Sequence, residues 1–205
     1  RLAKMLHTTS TPDEQQICIS TTNHGSVAKR IQFIGRAAHA GGAPHLGINA
    51  LNAAMMAMTA INFNRETVRD EDSIRVHPII PKGGEAVSAV PADVRMETFV
   101  RGRTLEALMD ANAKVDRALR AGAMAAGADV KLQTIPGYMP LQQHKGMAEI
   151  FRANAADLVG EENVSYVNHR GGSTDMGDIS HLMPVIHPYV GGAVGLGHGA
   201  TYVIE

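Results

Sequence analysis

The sequence predicts a mixed α/β chain with an α+β module in it. Residues 25–136 read as a ferredoxin-like β-α-β-β-α-β module, with two helices on one face of a four-stranded antiparallel sheet. Three observations predict this. Four runs, 27–35, 74–80, 93–101 and 128–136, carry strand-like apolar character, mostly alternating with polar residues. Two segments with helical spacing, 46–62 and 104–127, follow the first and third of them. From residue 137 the composition turns to a loop, one more helix and a Gly-, His- and Asp-rich run.

Taken in order, RLAKMLHTTSTPDE (1–14) is an apolar piece that closes on a polar turn, with His7 where the apolar run gives out. QQICIST (15–21) alternates as a strand with Cys18 inside it, and NHGS (23–26) suits a turn. In the helix over 46–62, Leu46, Ile48, Leu51, Ala54, Met55 and Met58 follow the apolar spacing, and NRETVRDEDS (64–73) ends it. After the strand 74–80, PKGGEAVSAVP (81–91) is a turn with a short extended piece. The helix over 104–127 has Thr104 as N-cap and Gly127 as its stop, with Leu105, Leu108, Met109, Val115, Leu119 and Ala123 toward one face. PGYMPLQQ is linker-like, 145–159 is a helix with Met147, Ile150, Phe151 and Leu158 inward, and NVSYVN (163–168) is a strand. The run HRGGSTDMGDISHLMPVIHPYVGGAVGLGHGA then holds four of the ten histidines, a composition typical of loops that line sites.

A composition 44% hydrophobic and 19% charged supports a buried core. The net charge of −1 gives no general attraction to nucleic acid or anionic membranes. With Phe and Tyr at four each, the sheet lacks paired aromatics for stacking bases, which argues against an RNA-binding module. No apolar run is long enough to span a bilayer. The single cysteine, Cys18, cannot form an internal disulfide, which points to a reducing, cytoplasmic setting. The sequence starts at Arg1 and stops at TYVIE in mid-pattern, as expected of a fragment.

The stretch GRAAHAGGAPHLGINAL (35–51) puts His39 on the lip of a Gly-rich turn before a helix. Alone it is either a surface turn with a solvated histidine or a scaffold-held histidine free to face a cleft. Four further stretches go with it: MLHTT (5–9), SAVPADVRMETFVRGRT (88–104), GGSTDMGDIS (171–180) and PVIHPYVGG…GHGATY (184–202). Together the five resemble the metal-dependent aminoacylase/carboxypeptidase amidohydrolases, zinc peptidases with a dimerisation lid. The branch most similar is the aminoacylase-1-like and p-aminobenzoyl-glutamate hydrolase type.

The resemblance implies a division into residues 1–24 and 137–205 as parts of a zinc-peptidase-like α/β catalytic domain, with 25–136 as the lid. It implies hydrolysis of an amide of an N-acyl amino acid, dipeptide or aminobenzoyl-glutamate-type substrate, and a homodimer formed through the lid. It implies His7 and His198 as ligands of a divalent metal, zinc or else manganese or cobalt, whose other ligands lie outside this chain. His39 would donate a hydrogen bond to the oxyanion in a partner's site. Arg101 would grip a substrate carboxylate, with Arg103 as its neighbour and competitor. Ser88 stands where most relatives carry an Asn that helps hold the substrate. Gly172, Ser173, Thr174 and Asp175 match a substrate-contact loop. With at most two ligands, the chain by itself would be inactive. The alternative is a non-catalytic dimerisation or ligand-binding module of ferredoxin-like plan.

Overall fold

The computed structural model describes residues 1–10 and 16–204. The polar turn expected over 11–14 and the start of the run 15–21 lie outside the described residues. Contacts divide the chain into two compact units, Arg1–Gly25 with Tyr138–Glu205, and Ser26–Gly137. Among the described residues no helix is long and apolar enough to cross a membrane.

The first unit opens with four short strands: β1 Ala3–Lys4, β2 His7–Thr8, β3 Ile17–Ser20 and β4 Thr22–Asn23. All of β3 is buried, Cys18 included. The expected turn 23–26 is instead mostly strand, with only the fully buried His24 between β4 and the next strand.

The middle unit is built on β5 Gly25–Ile34, α1 Ala50–Phe63, β6 Arg75–Val76, β7 Ile79–Lys82, β8 Asp93–Gly102, α2 Leu105–Ala126 and β9 Asp129–Pro136. The sheet order is β6-β8-β5-β9, with β7 also on β8. The pairs β5–β9, β6–β8 and β7–β8 are antiparallel. The bond from Gly35 N–H to Ala92 O sets the end of β5 beside the start of β8. This is the split-βαβ plan, except that the expected strand 74–80 is two short pieces parted at His77 and Pro78.

Helix α1 starts at Ala50, four residues later than the spacing suggests. Asn49 accepts the Leu51 and Asn52 N–H groups, and Pro44–Leu46 forms a separate 3-10 turn. Its buried face is Ala50, Ala53, Ala54, Ala57 and Ile61, while Leu46 and Met55 are exposed, against the expected apolar stripe. The cause is close approach of α2: a Cβ on Gly122 would lie 2.5 Å from the Ala57 nitrogen. Only alanine-sized residues fit such a contact. Met55, Met56 and Phe63 therefore face outward.

Thr104 caps α2 through the Ala107 N–H, and Gly127 closes it at φ 68°. Leu105 and Met109 are exposed, and the packed stripe runs through Leu108, Ala111, Val115, Leu119 and Ala123. Alternate residues of the sheet face the helices, Ile31, Phe33, Val76, Val94, Met96 and Val100 among them.

The chain then returns to the first unit with β10 Leu141–Gln142, α3 Lys145–Val159, β11 Val164–Val167, α4 Met176–Ser180, β12 Val185–Ile186, β13 Tyr189–Val190, β14 Ala193–Val194 and β15 Val203–Ile204. Its main sheet has the order β11-β3-β13-β2. The expected linker holds a strand, because β10 pairs with β4 and Leu141 is fully buried. On α3 the inward stripe is Met147, Ala148, Phe151 and Ala155. Ile150 and Leu158 are exposed, which corrects the expected facing.

Candidate functional site

The loop 36–48 is closed at its base by the bridge Arg36↔Ile48. A Cβ on Gly35 would sit 2.0 Å from Ile48 O, so the closure requires glycine there. Within the loop His39 bridges to Ala89, and Ala40 N–H donates to Ser88 O at 2.8 Å. His39 and Ser88, both exposed, thus lie together beside the start of β8.

The Nδ1 atom of His39 accepts the Gly42 N–H at 2.9 Å and the Gly41 N–H at 3.2 Å. Backbone donors on Nδ1 leave the neutral ring its proton on Nε2. The imidazole therefore presents an N–H outward, fixed by its own turn.

Arg101 lies at the far end of β8, with its guanidinium 5.3 Å from the Phe99 ring centroid. From Asp93 to Arg101 the strand runs about 26 Å at a rise of about 3.3 Å per residue. The structure brings Ser88 to His39 and keeps Arg101 away from both within one chain.

In the first unit the candidates gather around β2, β3 and β13. His7 donates from Nδ1 to Thr8 O at 2.7 Å, which leaves the Nε2 lone pair free. Thr8 shares a 2.8 Å hydrogen bond with Tyr202, and Ser10 donates to Gly195 O. These bonds tie the strand of His7 to the segment carrying His198. His198 is exposed and itself adopts a left-handed backbone, φ 62°, an uncommon state for a residue with a Cβ. The flanking Gly197 and Gly199 do not have a positive φ, so the left-handed turn falls on His198 itself.

The loop 171–175 leads into α4. Gly172 O accepts the His24 N–H at 2.9 Å, and Thr174 Oγ1 accepts the Met176 N–H at 3.3 Å. The Ser173 hydroxyl is buried and has no hydrogen-bond partner among the described residues. The exposed Asp175 stands at the start of α4.

Sequence reasoning missed the polar groups that surround this loop. Arg170 lies 3.6 Å from the Tyr189 ring centroid, a cation–π contact, and Asn23 donates to the Tyr189 hydroxyl at 2.9 Å. His24 and His169 meet edge to face at 4.5 Å. His187, given no role from the sequence, is 1% exposed and packs edge-on to Tyr189, 6.1 Å from the His7 ring. Burial, and then the neighbouring His7, push its imidazole down to about 4. The signal available in the sequence was the density of histidines after residue 168.

As a metal site the arrangement is partial. The tautomer of His7 suits a ligand, but among the described residues no group of three or more His, Cys, Asp or Glu could hold an ion. A concavity of about 500 Å³ on the helix side of the middle unit, lined by Ile61, Arg65, Ile74, Lys114 and Val115 among others, contains none of the predicted residues.

The sequence profile of the M20-type peptidase dimerisation domain matches residues 21–126. The chain is 31% identical over 163 residues to the Xaa-Arg dipeptidase of Mus musculus, covering 78% of this chain and 37% of that protein. It is 36% identical over 72 residues to a p-aminobenzoyl-glutamate hydrolase homolog of Haemophilus influenzae, covering 35% of this chain and 16% of the relative. An amidase of the hydantoinase/carbamoylase family from Burkholderia vietnamiensis superposes with a TM-score of 0.83 at 21% identity, over 100% of this chain and 50% of that one. The chain thus spans about two fifths of the Xaa-Arg dipeptidase and half of the amidase structure. The profile match alone covers just over half of the 205 residues, and the chain belongs to the metal-dependent M20 peptidase family, whose dimerisation domain it carries.

Proposed function

We propose that residues 25–136 are the lid, and 1–24 with 137–205 parts of the catalytic unit, of a cytoplasmic metal-dependent amidohydrolase. Its substrate is an N-acyl amino acid, a dipeptide or an aminobenzoyl-glutamate-type amide. The observation that carries this reading is the His39 imidazole, whose Nδ1 is taken by two backbone amides so that Nε2–H is left to donate. A fixed donor, aimed where charge develops, is what a tetrahedral intermediate of amide hydrolysis requires.

In this reading Arg101 grips the substrate carboxylate with its planar fork. Ser88 contacts the scissile group beside His39, and Gly172, Ser173, Thr174 and Asp175 line the substrate. His7 and His198 are two ligands of a divalent ion, zinc or else manganese or cobalt. When bound, such an ion supplies Lewis-acid polarisation and an acidified water. The remaining ligands and the proton-shuttling carboxylate come from outside these residues, so the 205 residues alone are inactive.

A second copy is integral to the reading. His39 and Arg101 stand at opposite ends of β8 and serve different sites: Arg101 its own, His39 its partner's. The outward face of α1, with Met55, Met56 and Phe63, is the surface on which two lids pair. The test is complementation in the full-length, metal-loaded enzyme. Inactive His39→Gln chains refolded with inactive Arg101→Gln chains should recover about a quarter of the wild-type rate, since half the dimers are mixed and each holds one intact site. No recovery, with dimers present, would refute the shared site.

A further inference from the structure

The concavity on the helix side of the middle unit has a volume of about 500 Å³, within the range of small-molecule sites. Its floor is apolar: Ile61 of α1, Val76 of β6, and Ala111 and Val115 of α2 line it and are all buried. Part of its wall is the chain between α1 and β6. That chain forms the 3-10 turns Asn64–Thr67 and Asp70–Asp72, and neither turn has a buried residue.

Charge is unevenly spread around this floor. Four Lys and Arg side chains line the concavity, Arg65, Arg69, Arg75 and Lys114, against one carboxylate, Asp70. Lys114 is paired with Asp110 at 2.7 Å, and Arg69 lies 3.6 Å from Glu71. Among the described residues Arg65 and Arg75 have no carboxylate partner. Each is held instead by a backbone carbonyl: Arg65 donates to Val76 O at 3.2 Å, and Arg75 donates to Ile74 O at 2.9 Å. Those carbonyls belong to residues two apart in sequence, a span of no more than about 7 Å along the chain. A guanidinium has five N–H donors, so one backbone bond orients each fork and leaves others for a ligand.

We infer that the concavity binds a small phosphate monoester with an apolar body. The phosphate sits between Arg65 and Arg75, and the body lies on the floor formed by Ile61, Val76 and Val115. A carboxylate offers two oxygens and is satisfied by a single fork. A phosphate monoester offers three oxygens and about two negative charges, which suits two forks held side by side. The apolar floor gives the ester an advantage over the bare ion, since burial of its body adds to the binding.

The test is calorimetric titration of the chain with 1-naphthyl phosphate, 1-naphthoate, 1-naphthol and inorganic phosphate. The ester should bind at least about ten-fold more tightly than each of the other three, as expected for losing either a charge-assisted hydrogen bond or the apolar contact. Both arginines are exposed, so replacing them leaves the core intact. Arg65→Gln and Arg75→Gln should each weaken the ester by about ten-fold. Asp70→Asn removes the carboxylate of the lining and should tighten it by about two-fold or more. Arg30→Gln, outside the concavity, should leave it unchanged. No saturable binding of the ester overturns the inference, as does equal binding of 1-naphthoate or of inorganic phosphate. An equal loss in Arg30→Gln does the same, because it would show a general attraction of anions to the chain. The titration needs no turnover and touches none of the residues proposed for amide hydrolysis, so its outcome is independent of that reading.

Discussion

Lys29 Nζ lies 2.6 Å from Asp116 Oδ1 and 2.8 Å from Thr134 Oγ1, beneath the helix layer of the middle unit. The lysine is 2% exposed, so its charge is held by α2 and β9 together.

Breaking this pair from one side leaves the other charge stranded. Asp116→Ala is expected to destabilise the chain by about 3 kcal/mol, whereas Lys29→Met with Asp116→Leu should be close to neutral. Urea unfolding of the single and double variants measures the difference. Equal losses in both would mean that the pair itself holds α2 to the sheet.

The Gly41 and Gly42 amides fix the tautomer of His39. Nitrogen-15 correlation spectra should show the neutral ring protonated on Nε2. A ring protonated on Nδ1 would remove the donor that the proposed mechanism uses.

Gly35 sits where a Cβ would meet Ile48 O at 2.0 Å. Gly35→Ala should cost about 2 kcal/mol or more by forcing the backbone apart. It should also open the Arg36↔Ile48 closure, seen as faster amide exchange over residues 36–48. Unchanged exchange would show that the loop holds its shape without the closure.

Asp93 is held at about 2, below its ordinary 3.8, first by the hydrogen bond from Lys82. The unfolded chain binds this proton at higher pH than the folded one. The contribution is therefore complete above pH 3.8 and is lost as pH falls toward about 2. The site is near the surface and screened, so Asp93→Asn should cost about 1 kcal/mol at neutral pH. Thermal melts should show that gap closing near pH 2 and narrowing in 1 M salt, conditions chosen as about the limits of the effect.

Pairing through α1 gives a prediction of its own. Met55→Glu with Phe63→Glu changes two outward residues and should shift sedimentation from dimer to monomer without unfolding the chain. A dimer that persists would place the contact elsewhere.

The middle unit was legible because its elements are long. Ten-residue strands such as β8 and the 22-residue α2 repeat their pattern often enough to declare their period. What failed there was facing and start: Met55 and Met109 belong to the apolar pattern, yet the Gly122–Ala57 approach admits only alanine between the helices. In the first unit most strands have two residues, too few for any period, so β10 read as a linker. His39 and Ser88 were visible as motif positions, but their adjacency comes from the Ala40 to Ser88 bond across the loop. His24 meets His169 from 145 residues away in sequence, a contact only the folded sheet creates.

Strand β8 also limits how such a lid can change by insertion or deletion. A single added residue between Asp93 and Arg101 would turn Arg101 into the helix layer and lift Val100 out of it. A pair of added residues restores the facing and moves Arg101 by about 6.6 Å relative to the His39 end. Where the pairing stays regular, the distance between the two ends of this lid is thus a quantity that descendants of the gene alter in even steps, an odd residue requiring a bulge.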